Sequence, residues 1–127
     1  MNSEHDRRTN YQAGADFERK ARDTLYERHA AILVVRAAGS HGKADLVAFF
    51  KPTAARVTGK EIDTVTYVPN VWLVQVKKDG RLSSAEHDEL VTIANRCGVP
   101  AYLAYHDRGA GVAFSKLATN PQPKEEG

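Results

Sequence analysis

Two short stretches constrain this chain more than anything else in it: VVRAAGSHGKADLVA, residues 34 to 48, and WLVQVKK, residues 72 to 78. The first reads as a strand, a loop of small residues and a second strand that opens on an acid, Asp45. The second is a strand carrying Gln75 and Lys77 two residues apart. Side chains alternate faces along a strand, so Trp72, Val74 and Val76 share one side and Leu73, Gln75 and Lys77 the other. After Asp45 the apolar run to Phe50 is nearly continuous, which predicts a strand buried on both faces. A carboxylate and an ammonium at buried strand ends are expensive to desolvate unless they are paired, hydrogen-bonded or bound to a metal. Asp45 and Lys77 therefore either hold each other in an internal salt-bridge network or hold something else.

The 127 residues predict one domain, 1–127, with a mobile arm at 1–10 and a disordered tail at 118–127. No apolar run approaches 18 residues and no charged-then-apolar leader opens the chain, so the expectation is a cytoplasmic protein, or one of the host cytoplasm if its origin is viral, with no membrane contact. Cys97 is the only cysteine, which excludes an internal disulfide and every multi-cysteine zinc pattern. The five histidines lack ligand spacing. A net charge of +2 and a pI near 8.7 allow a nucleic-acid partner without arguing for one.

Taken in order, the arm carries adjacent Arg7 and Arg8 and reads either as a phosphate contact or as a frayed, solvated terminus, the second being the simpler. From Gln12 to His29 the pattern is helical, with Gly14, Phe17, Glu18, Ala21 and Leu25 on one stripe. A carboxylate on that stripe needs a cation, and the plain reading gives Glu18 an ion pair with Arg22 at i+4. Ile32 to Arg36 is a β-branched strand. The loop Ala37 to Lys43 holds Gly39, Ser40, His41 and Gly42, where Ser40 or His41 can reach a phosphate or the chain merely turns. Residues 51 to 70 suggest an extra strand or hairpin arm. Asp79 and Gly80 make a turn, and Ser83 with Glu86 fits a capping box for a helix running to Cys97, with Leu90, Ile93, Ala94 and Cys97 inward and His87 at the core edge. Gly98 ends it, and two strands follow, Ala101 to Tyr105 and Val112 to Leu117. The order is αβββαββ, which predicts an α/β fold with a central mixed sheet flanked by helices.

Glu18, Asp45, Gln75 and Lys77, in this order and spacing, resemble the PD-(D/E)xK nuclease superfamily. Within it the closest likeness is to the archaeal-type Holliday junction resolvases. The likeness covers residues 12 to 117 and is most specific at Gly14 with Glu18-Arg19, at VVRAAGS with the Asp45 strand, and at VQVKK; GVPAYLAY at 98–105 adds to it. It implies a restriction-endonuclease-like sheet. It also implies that Asp45 is the central metal ligand, Glu18 an outer one and the Val76 carbonyl a further one. Gln75 stands in the place of the second strand carboxylate, and Lys77 in that of the catalytic lysine. Ser40, Arg19 and Arg36 match positions at or near the scissile phosphate. Apart from the likeness, His41 is placed on the loop to reach a phosphate, and Lys43, Lys78, Arg81 and Arg108 read equally as a DNA path or as solvated surface charges. Mg2+ is the implied cofactor, with Mn2+ able to substitute. The implied activity is paired, symmetric nicking of branched DNA, the four-way junction, by a homodimer. The chain departs from the likeness at Gln75, which removes a charge, in a loop one residue longer between Ser40 and Asp45, and in a larger insertion at 51–70. Two alternatives stand beside this reading: another nuclease of the superfamily acting as a nickase, flap or repair enzyme, and a non-catalytic DNA-binding module.

Overall fold

A computed structural model describes residues 3–37, 44–58 and 63–117. Its elements run α1 (Ser3–Arg28), β1 (Leu33–Arg36), β2 (Leu46–Thr58), β3 (Asp63–Val76), α2 (Ser84–Cys97), β4 (Ala101–Asp107) and β5 (Gly111–Lys116). The strands form one sheet in the order β1-β2-β3-β4-β5. Neighbours are antiparallel except β3 and β4, which run parallel with α2 as the crossover between them. The expected mixed sheet flanked by helices is therefore the observed architecture.

One layer of core lies under α1, where Ala21 and Leu25 pack with Val34, Leu46, Ala48, Val74 and Ala104. The other lies under α2, where Leu90 and Ala94 pack with Ala44, Leu73 and Ala101. Toward the end of β3 the α1 face carries an aromatic group. Trp72 stacks on Tyr102 with ring centroids 3.8 Å apart and sits 4.6 Å from Phe50. Leu25 is fully buried, so Leu25→Ala is expected to cost about 2–5 kcal/mol through lost transfer energy and a residual cavity. The measurement is a lower denaturant midpoint at unchanged slope.

Several boundaries differ from expectation, each for a local reason. α1 is helical from Ser3, well before Gln12, and so includes most of the stretch read as a mobile arm. Residues 3–13 contain no proline or glycine to interrupt a helix. In sequence only the second half of the helix carries an apolar stripe, so periodicity alone finds only that half. Gly14 is exposed rather than inward, and the buried stripe begins at Phe17. On α2, Val91 is buried while Cys97 is exposed in the last turn, beside the left-handed cap at Gly98. The expected tail at 118–127 lies outside the described residues.

The segment at 51–70 is a hairpin arm, as one of the two expected readings has it, made by extending β2 and β3 past the core. Its register slips between Phe50 and Thr53, around Pro52, which has no N–H to give the ladder. Asn70 repairs the gap by donating from Nδ2 to the Lys51 carbonyl at 2.7 Å and to Thr53 Oγ1 at 2.9 Å. The first part of β2 is less buried than its apolar run suggests. Helix α2 packs on β3 and β4, and Leu33, Val35 and Phe49 stay 50%, 43% and 38% exposed on the sheet beside it.

Candidate active site

β3 ends at Val76, opposite Ala104 of the parallel strand β4, and the carboxyl ends of parallel strands are where an α/β sheet opens a crevice. Asp45 enters this place just ahead of β2. Its main chain is tied on both sides: its N–H donates to the Val74 carbonyl at 2.9 Å, and its carbonyl accepts from Ala37 N–H at 2.9 Å. Its side chain is held as well, since Oδ2 accepts the Val76 N–H at 2.7 Å. The N–H and C=O of a strand residue point the same way. The Val76 carbonyl therefore lies on the flank that Asp45 occupies.

Gln75 is 3% exposed, and its Oε1 is the buried side-chain polar atom without a hydrogen-bond partner among the described residues. Leaving such an acceptor unsatisfied is costly unless something else meets it. Lys77, on the same strand face, donates its N–H to the Ala104 carbonyl at 2.9 Å. Its Nζ is 2.7 Å from Glu86 Oε2 at the start of α2. Lys77 thus pairs with Glu86 rather than with Asp45.

Glu86 is the residue that sequence reading placed only as a helix cap. The capping box is present: Ser83 Oγ accepts Glu86 N–H at 3.1 Å, and Glu86 Oε1 accepts Ser83 N–H at 3.1 Å. The signal for its second contact lies in the turn. Gly80 N–H donates to the Lys77 carbonyl at 2.8 Å, with Gly80 at a positive φ of 74° that suits glycine, so the chain folds back and lays the first turn of α2 beside Lys77. The Glu86 carboxyl is held down to about 2 from a usual 4.5, first by the hydrogen bond with Lys77 and then by the Ser83 N–H. A carboxyl lowered in the folded state stabilises the fold above its unfolded pKa, and that contribution is lost as pH falls through the folded one. Acid unfolding is expected to show a component between about pH 4.5 and 2 that Glu86→Gln lacks, read as the pH dependence of Tm. The pair is about one-third exposed, at 31% and 30%, so the component is modest.

Glu18 stands at the same sheet end but on the α1 side. Its Oε1 is 2.7 Å from Arg36 Nε, while Arg22 pairs with Asp23. Arg36 is in register with Leu46, the residue after Asp45, which brings the Glu18–Arg36 pair alongside. Arg19 is occupied by Asp16 at 3.0 Å on an exposed face. Lys78 points away from Lys77, into a cleft of about 300 Å³ that it lines with Asp16, Phe17, Lys20 and His106. Ser40, His41 and Lys43 lie outside the described residues. Among the described residues no three carboxylate, imidazole or thiolate groups come together. A cation at this place therefore needs oxygen from an amide or a carbonyl as well. The donors that Asp45, the unpartnered Gln75 Oε1 and the Val76 carbonyl could offer are all oxygens, the kind that suits a hard divalent cation.

No family model and no curated protein matches the chain. Among solved structures it is similar to Hjc, a Holliday junction resolvase from the archaeal hyperthermophile Archaeoglobus fulgidus. The match has 26% identity and a TM-score of 0.55, and covers 83% of this chain and 73% of that one. The fold is resolvase-like. The resolvase-like sheet matches the PD-(D/E)xK likeness noted in the sequence. Among the described residues no helix of it is long and apolar enough to cross a membrane.

Proposed function

We propose that this protein is a Holliday junction resolvase, an Mg2+-dependent endonuclease that nicks four-way DNA junctions in symmetric pairs. The observation that carries the reading is the grouping of Asp45, Val76, Gln75 and Lys77 at one end of a resolvase-like sheet. In this reading Asp45, Gln75 Oε1 and the Val76 carbonyl hold the ion, with Glu18 as an outer ligand once it leaves Arg36. Bound Mg2+ supplies a hydrolytic water of lowered pKa and positive charge for the phosphate. Lys77 orients that water and counters the charge that develops on the phosphate. Arg36, released or shared by Glu18, and Arg19 offer guanidinium contacts to the DNA backbone. Ser40, His41, Lys43 and Lys78 are proposed as further backbone contacts.

Symmetric nicking requires two sites, and each chain has one, so the reading includes a C2 homodimer. The bare apolar patch of Leu33, Val35 and Phe49 is uncharged and so can face its own copy. The amide at position 75 leaves the ion less negative charge than a carboxylate would. Gln75→Glu is accordingly expected to tighten Mg2+ binding, by titration calorimetry.

The direct test is cleavage of a synthetic four-way junction beside a linear duplex containing one arm's sequence, with Mg2+ or Mn2+. Paired nicks in the junction alone support the resolvase. Cutting of both substrates makes the protein a broader nuclease, and cutting of neither makes it a DNA-binding module.

A further inference from the structure

The half-buried ammonium of Lys77 needs a counter-charge, and its own strand supplies none. Gln75, its neighbour on the same face, is neutral, and the Asp45 carboxylate is engaged by the Val76 N–H at 2.7 Å. The charge comes from the α2 layer, where Glu86 Oε2 lies 2.7 Å from Lys77 Nζ. The two Glu86 oxygens do different work. Oε1 accepts the Ser83 N–H, which fixes the side chain at the helix start, and Oε2 is left to hold the lysine. The cap needs only an acceptor, which a glutamine also offers. The negative charge at position 86 serves Lys77.

We propose that Glu86 is the positioning residue for Lys77, a carboxylate delivered from the first turn of α2 in place of the one absent at position 75. This rests on the reading of Lys77 as part of the hydrolytic site and adds to it a specific division of labour. Ser83 locks Glu86, and Glu86 locks Lys77 at the end of β3 beside Asp45. A misplacement of about 1 Å in a catalytic group can lower turnover by about 10²-fold. The capping box therefore tolerates less change than a helix cap elsewhere would.

The test compares Glu86→Gln, Glu86→Ala and the double variant Gln75→Glu/Glu86→Gln in the full chain. Three things are measured: Tm, the single-turnover rate against junction affinity, and the NMR signal of the Lys77 ammonium in metal-free protein. Glu86→Gln keeps the cap and is expected to lower Tm at neutral pH slightly, by the modest contribution of the ion pair and by less than Glu86→Ala does, with junction Kd near that of the parent. It is expected to cut the single-turnover rate by about 10²-fold and to lose the slowly exchanging Lys77 ammonium signal. Gln75→Glu/Glu86→Gln, which returns a carboxylate to the lysine's own face, is expected to recover most of both. A parental rate, or an unchanged Lys77 signal, in Glu86→Gln overturns the proposal. So does a loss of Tm equal to that of Glu86→Ala with no recovery in the double variant, since the role is then structural. If the parent protein cuts no DNA, the resolvase reading fails, and the ammonium signal still decides whether Glu86 holds Lys77.

Discussion

Asp45→Asn is expected to lower junction cleavage by about 10³-fold while leaving the fold and junction binding intact. The reason lies in how much of Asp45 an asparagine reproduces. The main-chain bonds to Val74 and Ala37 are indifferent to the side chain. The side-chain bond that accepts the Val76 N–H at 2.7 Å needs only an oxygen, and the Asn amide has one. What disappears is a full negative charge at the place where, in the proposed site, Gln75 and the Val76 carbonyl contribute none. Glu18, the outer ligand in this reading, does not replace that charge, because Arg36 at 2.7 Å offsets its own. The variant separates the two roles of the residue: Tm and junction affinity report the hydrogen bond, and cleavage reports the charge. Parental cleavage with Asp45→Asn would remove Asp45 from the site.

That Asp45 and Lys77 belong to one locality was legible because strand periodicity is a short-range rule. Given two strands and their pairing, the face and the end of each residue follow. The capping box was legible for the same reason, as its partners are three residues apart. The partner of each charged group was not. Helix spacing gives Glu18 the partner Arg22, yet it pairs with Arg36 on β1. For Lys77 the sequence offers Asp45 or an external ion, yet it holds Glu86. Both true partners depend on how a helix is laid against the sheet, which the pattern within the helix does not encode. Burial failed in a similar way. Phe49 belongs to an apolar run that reads as two-sided, but α2 lies over β3 and β4, so one face of β2 stays partly bare. The hairpin arm is visible as alternation, but not as an extension of the two strands that flank the candidate site.

Lys77→Met is expected to reduce the cleavage rate by about 10²–10⁴-fold, with a smaller effect on junction affinity. Methionine keeps most of the aliphatic stem and leaves the strand bond from the Lys77 N–H to the Ala104 carbonyl in place, so β3 and β4 stay paired. The loss is confined to the ammonium. Its absence has a second consequence that needs no DNA to observe. The hydrogen bond with Lys77 is the largest cause of the low Glu86 pKa. Without it, the Glu86 carboxyl is expected to titrate upward from about 2 toward its usual 4.5, with the Ser83 N–H still holding it somewhat below that value. A carbon-detected NMR titration of the Glu86 carboxyl in both proteins reads this directly. The acid component of stability moves with it, because a carboxyl whose folded and unfolded pKa values converge contributes less pH dependence. If the Glu86 titration is the same in Lys77→Met as in the parent, the pair does not persist in solution. A loss of cleavage would then reflect the lysine acting alone. If both change together, the ammonium that cleaves is the one that α2 holds in place.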